Sequence, residues 1–127
     1  MEGWKASQIL QSSNPPYSGY GQCKVESTLI YIIWEFHIRP EKRADFERYY
    51  SSSGHWADLF RKNPAYRGTT LMKDIERPER YLVTDGWDDL AAFQNFKESY
   101  RHDYEELDKL CEQFTQEESC LGIFQAE

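Results

Sequence analysis

The chain has 127 residues with a net charge of −7, from 22 acidic and 15 basic side chains, and 16% of its residues are aromatic. A chain of this length folds as one domain and can bury about two thirds of its unfolded surface, so a second domain is not expected. The negative charge and the lack of any Lys/Arg block argue against nucleic acid as a partner.

Residues 1–28 are expected to form a tail that is either flexible or lies across a partner, in front of a single domain that spans residues 29–127. The tail is rich in Ser, Gly, Pro and Gln and shows no sustained hydrophobic period. At Leu29 the pattern changes abruptly, which marks the start of packed structure.

The first strand is predicted from the segment "LIYIIWEFHI", in which alternate residues differ in character. One face is wholly apolar and includes Trp34 and Phe36. The other face is mixed and includes Glu35 and His37. The apolar face is therefore expected to contact the core.

Two helices are predicted after this strand. The first follows Pro40 in "PEKRADFERYY", where proline suits the first helical position. The second is the short segment "HWADLFRKN", with Trp56, Leu59 and Phe60 at helical spacing and Pro64 after it. The inward side of the short helix is thus predicted at Trp56 rather than at His55.

A hairpin, a long helix and a last strand complete the predicted elements. The hairpin joins "YRGTTLMKDI" to "RYLVTDGW" through the turn "ERPE". Asp88 is predicted to cap a helix that runs to Phe114 and bends near Ser99 to Arg101. A capping-box turn from Thr115 to Glu118 precedes the last strand, "SCLGIFQ".

The order of these elements is βαββαβ, which predicts an α+β, ferredoxin-like domain with a four-stranded antiparallel sheet. Helices cover one face of such a sheet. The other face, with Tyr31, Ile33, Glu35 and His37, is too apolar to be wholly solvated. We therefore expect a homodimer through the open sheet face, in which the two sheets face each other.

Three segments carry a resemblance to a known family: "WEFHIRPEKRADFERYY", "YRGTTLMKDIERPERYLVTDGWDDLAAFQNF" and the final "GIF". In this order they resemble the antibiotic biosynthesis monooxygenase family, over about residues 29–125. The exit from the first strand lacks the usual glycine, and the W-x5-F segment runs from Trp87 to Phe93. The resemblance implies a dimeric α/β barrel with a ligand pocket between sheet and helices in each protomer.

The resemblance also implies a range of activities. Some members oxidise polycyclic phenols to quinones with O2 and neither metal nor flavin, whereas haem-degrading relatives use an Asn, a Trp and a His. Here Trp87 matches that Trp, but Trp34 stands at the Asn position and Glu106 near the His position. These two differences argue against haem degradation. No cofactor and no metal are therefore expected.

An oxygenase of this kind needs rigid apolar walls and phenol groups that orient the substrate. The candidate substrate-binding residues are Trp34, Phe36, Tyr50, Trp56, Phe60, Tyr66, Tyr81, Trp87, Phe93 and Tyr104. Simple core packing is the alternative explanation for each of them.

The candidate catalytic base is His55, because imidazole titrates near neutrality and the N-terminus of a helix disfavours its charged form. A capping or surface role is the alternative. His37 is predicted on the open sheet face, and His102 on the solvated side of the long helix.

The cysteine spacing and the length of the apolar runs limit the expected compartment and the expected kinds of site. Cys23, Cys111 and Cys120 form no CxxC pair and leave an odd count, so neither a disulfide framework nor a zinc site is indicated. No apolar run reaches the roughly 18 residues of a membrane span, and a signal peptide is not recognisable. We expect a cytoplasmic protein without a membrane partner.

Three functions stay open from the sequence. The first is binding of a small hydrophobic or phenolic molecule, with cofactor-independent monooxygenation as the favoured activity. The second is a non-catalytic binding or structural dimer with a packed aromatic interior. The third is a polyketide-type cyclase or isomerase that transfers protons without O2.

Overall fold

The helices and strands follow the predicted order in a computed structural model that describes residues 28–127. Apart from Thr28, the predicted tail lies outside the described residues. The elements are β1 (Ile30–Ile38), a 3₁₀ helix (Pro40–Lys42), α1 (Arg43–Tyr50), α2 (His55–Phe60), β2 (Tyr66–Lys73), β3 (Arg80–Trp87), α3 (Leu90–Ser99), α4 (Arg101–Cys111), a second 3₁₀ helix (Glu112–Phe114) and β4 (Thr115–Gln125).

The four strands form one antiparallel sheet in the order β2-β3-β1-β4. Alternation along β1 places Ile32, Phe36 and Ile38 in the buried core, in one cluster with aromatic side chains of α1 to α4. The opposite face of the sheet has no helix over it within residues 28–127. The predicted ferredoxin-like α+β fold with a four-stranded antiparallel sheet is confirmed.

The long C-terminal helix of the prediction consists of two helices. It breaks at Tyr100, whose φ of −116° and ψ of 33° lie outside the helical region. The predicted bend is at the right place, but a continuous helix to Phe114 is wrong. The break turns α4 so that Tyr104 is buried against α2.

Two predictions of helix ends are also wrong. Asp89, not Asp88, caps α3, since its carboxylate accepts from the Ala92 backbone N–H at 2.8 Å. Asp88 instead pairs with Arg67, with 2.5 Å between Oδ1 and Nε. The turn predicted at residues 115–118 is the start of β4, because these residues pair with the end of β1, as far as Ile38 opposite Thr115.

The join between α1 and α2 is tight. A Cβ atom on Gly54 would lie 2.4 Å from the backbone oxygen of Arg48, which is far inside van der Waals contact. The Arg61 guanidinium also donates to the Ser52 carbonyl at 2.8 Å. The short helix α2 is therefore held firmly beside α1.

None of the helices within residues 28–127 has the length and apolar character needed to cross a bilayer.

Candidate active site

A cavity lies between the sheet and the helices, in the region where β1 and α2 present aromatic side chains to each other. Strand alternation places Trp34 and Phe36 on its sheet side, and helical spacing places Trp56 and Phe60 on its helix side. Its lining residues are Trp34, Phe36, Tyr50, Trp56, Phe60, Thr69, Val83, Asp85, Tyr104, Asp108 and Glu118. The cavity is thus an aromatic space with a few polar groups.

The space as it stands is narrow. The cleft has about 480 Å³ of empty volume, including its opening to solvent, and the centres of water-sized molecules can occupy about 40 Å³ of it. That is room for a few water molecules at ~10–15 Å³ each. A ring system enters only when lining side chains move. Trp34 is half-buried, whereas Trp56 and Phe60 are buried, so Trp34 is the wall with most freedom.

Asp85 is the most deeply buried carboxyl of this cavity, since Asp108 and Glu118 are only half-buried. Alternation along β3 places it on the core face with Val83 and Trp87, and only 7% of its surface is exposed. Burial raises the pKa of its carboxyl from the ordinary 3.8 to about 7, although the hydrogen bond from Thr69 acts in the opposite direction. A carboxyl that titrates near neutrality can accept and return a proton.

Two hydroxyl groups of β2, those of Thr69 and Tyr66, form a chain of hydrogen bonds that ends at Asp85. Thr69 lies opposite Asp85 in the sheet, and its Oγ1 donates to Asp85 Oδ1 at 2.6 Å. The Tyr66 hydroxyl lies 2.5 Å from the same Oγ1. Since Thr69 donates its proton to the carboxylate, Tyr66 is the donor in the second bond. A continuous chain of hydrogen bonds therefore runs from half-buried Tyr66 to buried Asp85.

Two buried tyrosines add phenol groups to the lining. Burial raises the pKa of both Tyr50 and Tyr104 well above the ordinary value for a phenol. Both hydroxyls consequently stay protonated near neutral pH. They can orient substrate oxygens but cannot serve as bases.

The charged side chains of the lining are all acidic. Asp108 of α4 and Glu118 of β4 join Asp85, whereas no Lys, Arg or His within residues 28–127 lines the cavity. Lys97 is close by, with its Nζ 4.8 Å from the centre of the Tyr104 ring, but it does not line the cavity. The electrostatic field of the site thus disfavours anions.

The structure brings together six of the ten candidate substrate-binding residues: Trp34, Phe36, Tyr50, Trp56, Phe60 and Tyr104. Tyr66 does not line the cavity, but its hydroxyl is hydrogen-bonded to Thr69, which does. Tyr81 is buried elsewhere, with its hydroxyl bonded to Arg43 at 2.7 Å and to Glu47. Trp87 and Phe93 pack against each other in the core, with ring centroids 5.2 Å apart.

The three histidines lie away from the cavity lining. His55 is exposed and stacks on Tyr49, with ring centroids 3.9 Å apart. His37 lies on the open sheet face, where its Nε2 is 3.2 Å from Glu35 Oε2. His102 is exposed on α4. The cavity therefore brings a carboxyl, and not the candidate base His55, to its interior.

Sequence reasoning missed Asp85, although the signal was present. In "RYLVTDGW" the same alternation that turns Tyr81, Val83 and Trp87 inward also turns Asp85 inward. A charged residue on a buried strand face is uncommon unless it is paired or functional. Within residues 28–127, no group of three or more His, Cys, Asp or Glu side chains is placed to hold a metal ion.

Comparisons with known proteins agree with this fold. A family model described as antibiotic biosynthesis monooxygenase matches residues 29–116. No curated protein matches the chain. A solved structure from Bordetella bronchiseptica that carries the same family name is 24% identical, with a TM-score of 0.64, over 79% of this chain and 98% of that chain.

Two further solved structures are similar. SnoaB, a cofactor-independent oxygenase from Streptomyces nogalater, is 17% identical, with a TM-score of 0.58, over 79% of this chain and 94% of its own. A conserved protein from Methanosarcina mazei Go1 is 15% identical, with a TM-score of 0.61, over 80% of this chain and 95% of its own. At these identities the likeness shows a shared fold.

Proposed function

The chain belongs to the antibiotic biosynthesis monooxygenase family, and on that premise we propose that it binds a small, flat phenolic or enolic molecule between sheet and helices and oxidises it with O2. The observation that carries this proposal is the buried Asp85, whose carboxyl has a pKa of about 7 within an aromatic cavity. The name of SnoaB, a cofactor-independent oxygenase of the same fold, supports O2 as the only co-substrate.

The proposed reaction begins when the Asp85 carboxylate takes a proton from the ring hydroxyl or from an enolisable C–H. The resulting anion gives one electron to O2, and the substrate radical and superoxide combine through a new C–O bond. The peroxide anion then takes the proton back from Asp85. Loss of water breaks the O–O bond and the C–H bond of the same carbon and leaves a ketone. One oxygen atom enters the product, and the substrate supplies the four electrons that O2 accepts.

Oxygen consumption tests the proposal with anthrone and 1-naphthol as probes. We expect O2 uptake above the buffer rate, with anthraquinone formed from anthrone and one ¹⁸O atom incorporated from ¹⁸O2. Conversion of a probe under nitrogen would instead assign a proton-transfer activity of the isomerase or cyclase type. Binding without any conversion would assign a binding module.

We expect the cavity to prefer a neutral ring to an anionic ring of the same shape, because Asp108 and Glu118 line it and no cationic side chain of the described part of the chain does. Isothermal titration calorimetry at pH 8 with 2-naphthylmethanol and 2-naphthoate measures this difference. The expected affinity for naphthoate is at least about tenfold weaker, equivalent to ~1.4 kcal/mol. Equal affinities for the two probes would contradict the electrostatic argument.

We also propose that two copies pack through their open sheet faces. Tyr31, Met72 and Phe124 are exposed on this face, and Phe124 is 51% exposed in the single chain. Phe124→Glu is expected to give a monomer in light scattering at micromolar concentration, whereas the wild type is a dimer. Ile75→Glu is the matched control, since Ile75 is 95% exposed in the β2–β3 turn, away from this face. A monomeric wild type would refute the proposed interface.

A further inference from the structure

We propose that Tyr66 and Thr69 form a proton relay between Asp85 and solvent, in which Thr69 is also the positioning residue for the Asp85 carboxyl. The inference rests on the proposed function for the use of Asp85 as a base. The hydrogen bonds of the relay involve only described residues, and the experiment that tests the relay does not require oxygenase activity.

The inner part of the relay is the pair of neighbouring strands β2 and β3. Thr69 is opposite Asp85 in the sheet, both residues are buried, and 2.6 Å separates Thr69 Oγ1 from Asp85 Oδ1. A hydroxyl in this place holds one carboxyl oxygen in a fixed direction. The other carboxyl oxygen is then left to face a ligand in the cavity.

The outer part of the relay is the Tyr66 hydroxyl, 2.5 Å from Thr69 Oγ1. Its ring packs on Phe60 and Trp87, with centroids 5.5 and 5.4 Å away, which fixes the side chain while the residue stays half-buried. The pKa of Tyr66 is raised above the ordinary value, chiefly by burial, and the surface charges of Asp58 and Arg61 also act on it. Tyr66 is therefore a protonated phenol within the electrostatic influence of the exposed ion pair between Asp58 and Arg61, whose Oδ1 and Nη1 are 2.7 Å apart.

Other groups that face Asp85 do not offer an equivalent path. Tyr104 of α4 lies across the cavity, and the Asp85 charge contributes to its raised pKa after burial and Asp108. Asp108 and Glu118 share the lining and are carboxyls themselves. A ligand that fills the cavity would separate Asp85 from water on that side. The β2 side then remains as the connection to solvent.

The relay moves one proton by exchanging O–H bonds. When Asp85 is protonated, its O–H donates to Thr69, Thr69 donates to Tyr66, and Tyr66 donates to water. Each transfer breaks one O–H bond and forms another, so that one proton reaches solvent and Asp85 returns to the carboxylate. The reverse sequence protonates Asp85.

The test uses ¹³C NMR of the aspartate carboxyl carbons in ligand-free protein, with Asp85→Asn to identify the Asp85 signal. Thr69→Val is expected to raise the pKa of Asp85 by about one pH unit or more, because a hydrogen bond to the carboxylate is lost. Thr69→Ser keeps a hydroxyl and is expected to restore the wild-type pKa. An unchanged pKa in Thr69→Val would overturn the positioning role.

The rate of proton exchange between Asp85 and solvent, observed on the same NMR signal, tests the relay itself. We expect Tyr66→Phe to leave the pKa near the wild-type value but to slow proton exchange between Asp85 and solvent at least about tenfold, seen as broadening or splitting during titration. Proton exchange at the wild-type rate in Tyr66→Phe would overturn the relay and assign exchange to cavity water. Absence of O2 uptake by the wild type would end the proposed function without altering either NMR result.

Discussion

Replacing Asp85 with asparagine is expected to lower the turnover of a phenolic probe by about 10²–10⁴-fold, the usual contribution of a general base. Asparagine keeps the shape of the side chain and an oxygen that accepts from Thr69, but it cannot take up a proton. The measurement is O2 consumption at saturating anthrone. Asp88→Asn is the matched control, because Asp88 is a surface carboxylate paired with Arg67.

The pH dependence of turnover gives a second readout for the same substitution. The active form is the carboxylate, so wild-type kcat is expected to rise as pH increases through about 7, the pKa of Asp85. The residual activity of Asp85→Asn should lack this step. Full activity in the variant, or a wild-type profile that is flat between pH 5 and 9, would remove Asp85 from the mechanism.

Stability is expected to change in the opposite direction to activity. Folding raises the pKa of Asp85 from 3.8 to about 7, so the folded state binds the proton more tightly than the unfolded state. Below about pH 4 both states are protonated and there is no penalty, whereas above pH 7 the fold must hold a buried carboxylate. At ~1.4 kcal/mol per pH unit this costs up to ~4 kcal/mol. Urea unfolding should show Asp85→Asn to be more stable than the wild type at pH 8, with the difference vanishing near pH 4.

Trp87→Ala is expected to have the largest effect on folding, a loss of ~3–5 kcal/mol in the free energy of unfolding. Trp87 has 0% exposure and contacts the rings of Phe60, Tyr66, Phe93 and Phe96. Removal of the indole leaves a void in the part of the core that connects β3 to α3. Thermal and urea unfolding measure the loss.

Two companion variants separate this structural effect from ligand binding. Trp87→Phe keeps an aromatic ring in the core and should lose much less stability than Trp87→Ala. Trp34→Ala removes a half-buried wall of the cavity, so it should change ligand affinity more than stability. If Trp87→Phe abolished binding while remaining folded, the assignment of Trp87 to the core would be wrong.

Hydrophobic periodicity was sufficient to predict β1, β2 and β3, the inward positions of Trp34 and Phe36 on β1, and that of Trp56 on α2. The same rule predicts the inward position of Asp85, because residues alternate regularly along β3. It could not predict the contact between Asp85 and Thr69. Regular alternation from Tyr66 would place Thr69 on the opposite face of β2, but an irregular step lies between Tyr66 and Gly68.

That irregularity depends on the backbone conformation, which a hydrophobic pattern does not indicate. Gly68 has a φ of +114°, which side chains other than glycine rarely adopt. The shift turns Thr69 to the core face beside Asp85. The contact between these two residues therefore depends on the register of β2 and β3, which only the structure shows. The base inferred from residue type, His55, lay outside the cavity for a related reason: Trp56, Leu59 and Phe60 use the inward side of α2.

The tight join at Gly54 bears on how this protein can acquire a different specificity. With no room for a Cβ beside Arg48, any other residue at position 54 would displace the backbone between α1 and α2 and so disturb Trp56 and Phe60 together. Adaptation to a larger or smaller ligand is more accessible on the other walls, where Trp34 is half-buried and Tyr104 follows the break at Tyr100. Libraries for directed evolution would therefore start from Trp34 and Tyr104, with the join between α1 and α2 left intact.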